Sequence, residues 1–157
     1  MSKLQLQFSD YSNSTPKIGI KTNLEGYTLA FRMNTQLKFG LYRVKEDHSV
    51  VFENRPFLFS KYQGMDMGNQ ADLFLLENRG WAEEDTIQNG LFSSIERSIS
   101  LTKNRLKPDF ILLSTESLSS SEGSIALIKR LMDIKGIHTA FELHLHNSKE
   151  EENFILD

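Results

Sequence analysis

Apolar and polar positions along this chain recur with two periods, and the places where the period changes mark its elements. Leu4, Leu6 and Phe8 alternate ahead of a polar Ser12-Asn13-Ser14-Thr15-Pro16 run. Residues 1–16 therefore read as a polar arm or an edge strand, and 17–157 as one globular domain. Lys17-Ile18-Gly19-Ile20-Lys21 is a short strand. From Tyr27 to Leu37 two templates fit: Tyr27, Leu29, Phe31 and Met33 alternate as in a strand, whereas Tyr27, Ala30, Phe31, Asn34 and Leu37 share one helical face. Phe39 to Val44, Val50 to Phe52, Phe57 to Tyr62 and Asp72 to Glu77 follow as strands. They are separated by Glu46-Asp47-His48-Ser49 and by the Gly64 to Asn69 turn, the spacing of an antiparallel meander.

The period then lengthens. Asp85 with Gln88 three residues on is a capping-box pattern, and Glu83 and Glu84 suit a helix start. Ile87, Leu91, Ile95, Ile99 and Leu106 form an apolar stripe, and Pro108 stops it, so the pattern predicts a helix over 86–106. Phe110 to Leu113 is apolar on both faces, as a covered central strand is. A serine-rich connection, Ser114 to Ser124, leads to a helix over 125–135 that buries Ile125, Ile128, Leu131 and Met132, with Gly136 at its C-terminus. In the last strand, His138 to His146, Thr139, Phe141, Leu143 and Leu145 face in, and His138, Glu142, His144 and His146 face out. The acidic tail packs a final helical turn through Phe154 and Leu156. Together these elements predict an α+β fold: a single mostly antiparallel sheet of about five to seven strands with two or three helices packed on it.

Composition narrows the function more than the fold. The chain has 157 residues, 39% hydrophobic and 25% charged, enough to bury a core without staples. It has no cysteine, which excludes disulfides, thiolate metal sites and cysteine nucleophiles. No apolar run approaches the roughly 18 residues that span a bilayer, and residues 1–8 do not read as a secretory signal. The expected location is the cytoplasm, with no membrane partner. A net charge of −3 disfavours non-specific nucleic-acid binding by the overall field.

Three constellations bear on chemistry. Glu142, His144 and His146 fall on one face of a strand and are a competent zinc set, although a solvated strand face has the same pattern. Ser114, Thr115, Ser120, Ser121 and Ser124 lie between a strand end and a helix start, where α/β sheets bind ligands and helices attract anions. That loop lacks the Gly-Lys-Ser/Thr ending of a P-loop, and Glu116 and Glu122 oppose a phosphate. Arg97, Lys103, Arg105 and Lys107 form a basic patch that could meet RNA. It is equally the cation cluster expected where a helix ends. There is no Gly-x-Ser-x-Gly elbow, no dinucleotide fingerprint and no motif that implies a cofactor.

Lys17-Ile18-Gly19-Ile20, Gly26 through Asn34, Leu41, Arg43, Phe59-Ser60-Lys61-Tyr62, the Leu75 to Asn78 strand end and Asp109-Phe110 together resemble the IPExxxVDY family of small Bacteroidota proteins, whose function is not established. The likeness covers residues 17–146. Of the name motif, Thr102 to Phe110 keeps only the Asp-aromatic pair. The resemblance implies a helix from Tyr27 to Gln36 and supplies no catalytic residues. The functional expectation is a non-enzymatic protein that binds a protein partner. The alternatives are a small-molecule or anion-binding domain, or an enzyme, using the Ser114–Ser124 loop, and RNA binding at the basic end of the 86–106 helix.

Overall fold

The computed structural model describes residues 17–67, 70–82, 98–115, 121–145 and 147–156, with Ser121 and Glu122 as backbone only. The strands are β1 (Lys17–Thr22), β2 (Tyr42–Arg43), β3 (His48–Phe52), β4 (Arg55–Phe59), β5 (Lys61–Asp66), β6 (Ala71–Glu77), β7 (Gly80–Ala82), β8 (Ser98–Ile99), β9 (Phe110–Ser114) and β10 (Ile137–Leu143). The helices are α1 (Gly26–Leu37), α2 (Ser121–Met132) and α3 (Ser148–Glu152).

The fold is α+β. A six-stranded sheet has the order β10-β1-β9-β6-β5-β2, and a four-stranded sheet has the order β3-β4-β7-β8. Neighbouring strands in both sheets pair antiparallel. β9, α2 and β10 form a strand–helix–strand unit, but β1 lies between the two strands and pairs with both.

Strand alternation explains the layering. On one face of the larger sheet, Ile18, Ile20, Leu73, Leu75, Phe110, Leu112 and Ala140 pack against Leu29, Met33 and Leu37 of α1 and Leu127 and Leu131 of α2. On the other face, Leu76, Ile111, Leu113 and Leu143 pack against Phe57 and Phe59 of the smaller sheet and against Phe154 of the tail. β9, buried at every position, has a core on each side. Among the described residues no helix is long and apolar enough to cross a membrane.

Several expectations change. The predicted helix 86–106 is not helical over its described part: Ser98–Ile99 is a strand paired with Gly80 and Trp81. Beyond it, Thr102 Oγ1 accepts from Asn104 N–H, and Asn104 Oδ1 accepts from Leu106 N–H. These short polar side chains offer the backbone an alternative to helix, and the chain turns. Residues 86–97 lie outside the described set. Tyr27 to Gln36 is helical, as the resemblance implied. Phe57 to Tyr62 is two strands in two sheets, parted at Ser60, and the expected Phe39 to Val44 strand is regular only at Tyr42–Arg43, with Phe39 and Val44 each making one further backbone hydrogen bond to β5. β3 and β4 turn at Glu53-Asn54, both with positive φ, as a two-residue hairpin requires.

The α2 stripe is also shifted. Ser124, Leu127, Leu131 and Ile134 are buried, whereas Ile125 is 52% and Met132 50% exposed. The final strand ends at Leu143, and His138 and Glu142 are exposed as expected. Ala140, on the same side, is buried in the helix-facing core.

Candidate functional site

Strand direction places two of the sequence-derived candidates at one end of the six-stranded sheet. β9 finishes there at Ser114, opposite Leu73, and β10 finishes at Leu143, opposite Lys17. Ser114 and Ser124 are buried, and each is engaged with other groups of the chain. Thr115 N–H donates to the Asp72 carbonyl, and Thr115 Oγ1 accepts from Asp72 N–H. These residues close the end of the sheet. Ser120 lies outside the described residues, as do the side chain of Ser121 and His146. Glu142 and His144 are exposed, and no metal-competent group of three is found among the described residues.

Among the described residues, the opposite end is open. β1 and β6 finish there, β5 and β9 begin there, and α1 starts beside them. A cleft of about 1100 Å³ lies among these termini, lined by Lys21 to Tyr27, Tyr62, Glu77 to Arg79, and residues between Ser98 and Phe110. Lys103 and Lys107 of the expected basic patch line it. The structure places them on the turn-rich segment after β8, so no helix dipole accounts for them. Arg105 is exposed on the same segment, and Arg97 lies outside the described residues.

Buried polar side chains hold the walls in register. Asn78 donates through Nδ2 to the Pro108 carbonyl, accepts through Oδ1 from Leu101 N–H, each at 2.8 Å, and donates its own N–H to the Asp109 carbonyl. Asp109 accepts Thr22 N–H on Oδ2 at 2.9 Å, beside Lys21 Nζ at 3.8 Å. Thr22 Oγ1 donates to the Gly136 carbonyl and accepts Leu24 N–H, which sets the turn into α1. Lys21 Nζ also donates to the Lys107 carbonyl at 2.8 Å.

Tyr62 differs from these clamps. It is 8% exposed and its ring belongs to the helix-facing core. No fully buried side-chain nitrogen or oxygen among the described residues lacks a partner. The Tyr62 hydroxyl has no hydrogen-bond partner among them, so it opens onto the cleft that the residue lines. Burial raises its pKa above 10.0, the Arg43 guanidinium opposes this and Glu77 reinforces it. At neutral pH the group is a protonated donor. The cleft can therefore offer a phenol hydroxyl, a helix N-terminus and several cations to one bound molecule, next to carboxylates from Glu25, Glu77 and Asp109.

Reading the sequence for strand ends pointed to the Ser114 end of β9 and did not single out Lys21, Gly26, Tyr62 or Asn78, which line the cleft at the other end. Of the residues that line the cleft, Gly26, Tyr27, Tyr62, Asn78, Asp109 and Phe110 are among those that carry the resemblance, and Lys21 is not. No family model, no curated protein and no solved structure matches this chain.

Proposed function

We propose that this protein is a non-enzymatic ligand-binding domain that takes a small polar molecule in the cleft at the β1–β6 end of its larger sheet. The cleft itself carries the reading: at about 1100 Å³ it has room for a small molecule, and its lining of a partnerless phenol, amides and charged groups asks that molecule to be polar. The cysteine-free composition is in keeping with a cytoplasmic setting. Membership of the IPExxxVDY family is part of the proposal, supported by the convergence of the resembling residues on the cleft.

A screen of mixed small metabolites, read by amide chemical shifts, tests the function. Ligands are expected to move Lys21 to Tyr27, Asn78 and the segment from Ser98 to Phe110. A screen in which no compound moves these amides, or in which shifts gather at Ser114 and Thr115, sinks the reading.

A second reading, a protein-binding module, is favoured by one observation. Tyr27 and Phe31, four residues apart on α1, are 68% and 69% exposed. Such a pair is the usual anchor of a helix-face contact. If Phe31→Asp abolished a reproducible pull-down partner while the cleft bound no small molecule, this reading would replace the first.

A further inference from the structure

We infer that the cleft holds an oxyanion of its ligand, a phosphate or a carboxylate, against the N-terminus of α1, with the Tyr62 hydroxyl completing the ring of donors. The inference rests on the cleft being a ligand site and adds the chemistry of what binds there. The first helical hydrogen bond of α1 runs from Leu29 N–H to the Glu25 carbonyl at 2.9 Å. The amides of Gly26, Tyr27 and Thr28 precede it, so they have no acceptor within the helix. The cap residue, Glu25, makes no side-chain hydrogen bond to them, and the first turn contains no acidic residue. Many helices fill this position with Ser, Thr, Asp or Asn. Here it is left open, and it faces a cleft.

Tyr62 is the independent observation. A phenol whose ring is more than nine-tenths buried, with no internal partner for its hydroxyl, presents that hydroxyl to the cleft, where water or a ligand can accept from it. It sits at the helix start: a Cβ added to Gly26 would stand 2.6 Å from the Tyr62 oxygen. Only glycine lets the first turn of α1 and the phenol converge on one point. Gly26, Tyr27 and Tyr62 all line the cleft, so the first amides of α1 and the phenol hydroxyl meet it at the positive end of the helix dipole, where phosphate and carboxylate oxygens are recognised. Four cations line the cleft, Lys21, Arg79, Lys103 and Lys107, against three carboxylates, Glu25, Glu77 and Asp109. Lys21 and Asp109 pair with each other, which leaves three cations, Arg79, Lys103 and Lys107, against two carboxylates, Glu25 and Glu77. The balance admits an anion and asks the rest of the ligand to be polar.

Titration of the protein with inorganic phosphate and, separately, acetate, against sodium chloride at matched ionic strength, tests this by amide chemical shifts. Saturable shifts of the Gly26, Tyr27 and Thr28 amides are expected with at least one of the two anions and not with chloride. Tyr62→Phe, which keeps the buried ring and whose fold is checked from the same spectra, should weaken that binding by about ten-fold or more. Lys103→Gln should weaken it less and leave the same amides responding. The inference is overturned if shifts spread over Lys103 and Lys107 without the α1 amides, or if Tyr62→Phe binds as tightly as the wild type. If neither anion touches α1 while neutral compounds still move the cleft amides, the anion site falls and the ligand-binding reading stands. If nothing moves them, both fall.

Discussion

The two ends of the six-stranded sheet carry similar polar residues and use them in opposite ways. At the Ser114 end, Ser114 and Ser124 are 2% and 1% exposed, and Thr115 is bonded twice to the Asp72 backbone. Polar groups there satisfy the chain itself. At the other end, Asn78, Thr22 and Asp109 are spent in the same manner, but a layer beyond them is left over: the first amides of α1, the Tyr62 hydroxyl and the ammonium of Lys103. A run of hydroxyls therefore says little about a site until the backbone's own demands have been met. The serine-rich end looked more like a binding loop by composition, and it is the end whose described groups are more fully consumed.

The sharpest way to break this comparison is at Asn78. Asn78→Ala leaves the Leu101 N–H and the Pro108 carbonyl buried without partners, so it should cost about 2–4 kcal/mol. In a chain of this length each kcal/mol lowers Tm by roughly 2–4 °C. Urea unfolding of the variant measures it. A loss below about 1 kcal/mol would mean that the cleft wall is held by other contacts.

At the opposite end, Thr115→Val removes the acceptor of Asp72 N–H but keeps the shape of the side chain. Water can replace the lost oxygen at this partly exposed site, so a cost of only about 0.5–1 kcal/mol is expected. Binding of any cleft ligand should be unchanged. A ligand affinity that fell with Thr115→Val would show that the two ends do not differ as argued.

What was legible in the sequence follows the same division. The α+β class, the antiparallel pairing and the doubly covered strand at Phe110 were readable because alternation reports burial on a pleated sheet directly. The helix predicted over 86–106 fails within 98–106 because its stripe included Leu106, which is 57% exposed, and passed over Leu101, which is 1% exposed. Thr102 and Asn104 bind their own backbone, and no hydrophobic period registers that. The face of α2 was misassigned for a related reason: Ser124 occupies a buried position that the pattern gave to Ile125. The cleft has no period at all. It depends on hydrogen bonds between residues far apart in the chain, such as Thr22 to Asp109 and Asn78 to Pro108.

Lys107 sharpens the comparison by separating stability from binding. Its φ of 45° lies in the left-handed region, where a side chain costs roughly 1–2 kcal/mol and glycine costs little. Its N–H donates to the Asn104 carbonyl and its carbonyl accepts from Lys21, and both interactions survive loss of the side chain. Lys107→Gly should therefore stabilise the fold by about 0.5 kcal/mol, once the greater freedom of glycine when unfolded is subtracted. The same variant should weaken phosphate binding, since it removes a cation from the cleft. Denaturation and titration on one sample check both signs. A variant that is more stable and binds equally well would take Lys107 out of the site.

Lys17, at the closed end, gives the smallest effect and tests whether that end is as dry as its packing implies. It is 6% exposed, with its ammonium 5.7 Å from the centre of the Phe154 ring. Burial pushes its pKa below the ordinary 10.5, and the nearby Glu151 carboxylate opposes the shift. The folded chain thus holds this proton less tightly than the unfolded chain does. Below the lowered pKa both states are protonated and Lys17 adds no slope. Between that value and 10.5 the unfolded state binds more protons, so stability attributable to Lys17 rises with pH, and above 10.5 it levels. Tyr62, whose pKa is raised, acts the other way above 10.0, because the unfolded chain loses its phenol proton first. That contribution is common to the wild type and to Lys17→Met and cancels in their difference. Urea unfolding of both proteins from pH 7 to 11 should show the wild type gaining on Lys17→Met as the pH climbs towards 10.5. Parallel curves would mean that water reaches the Lys17 ammonium, and the closed end would then be as wet as the cleft.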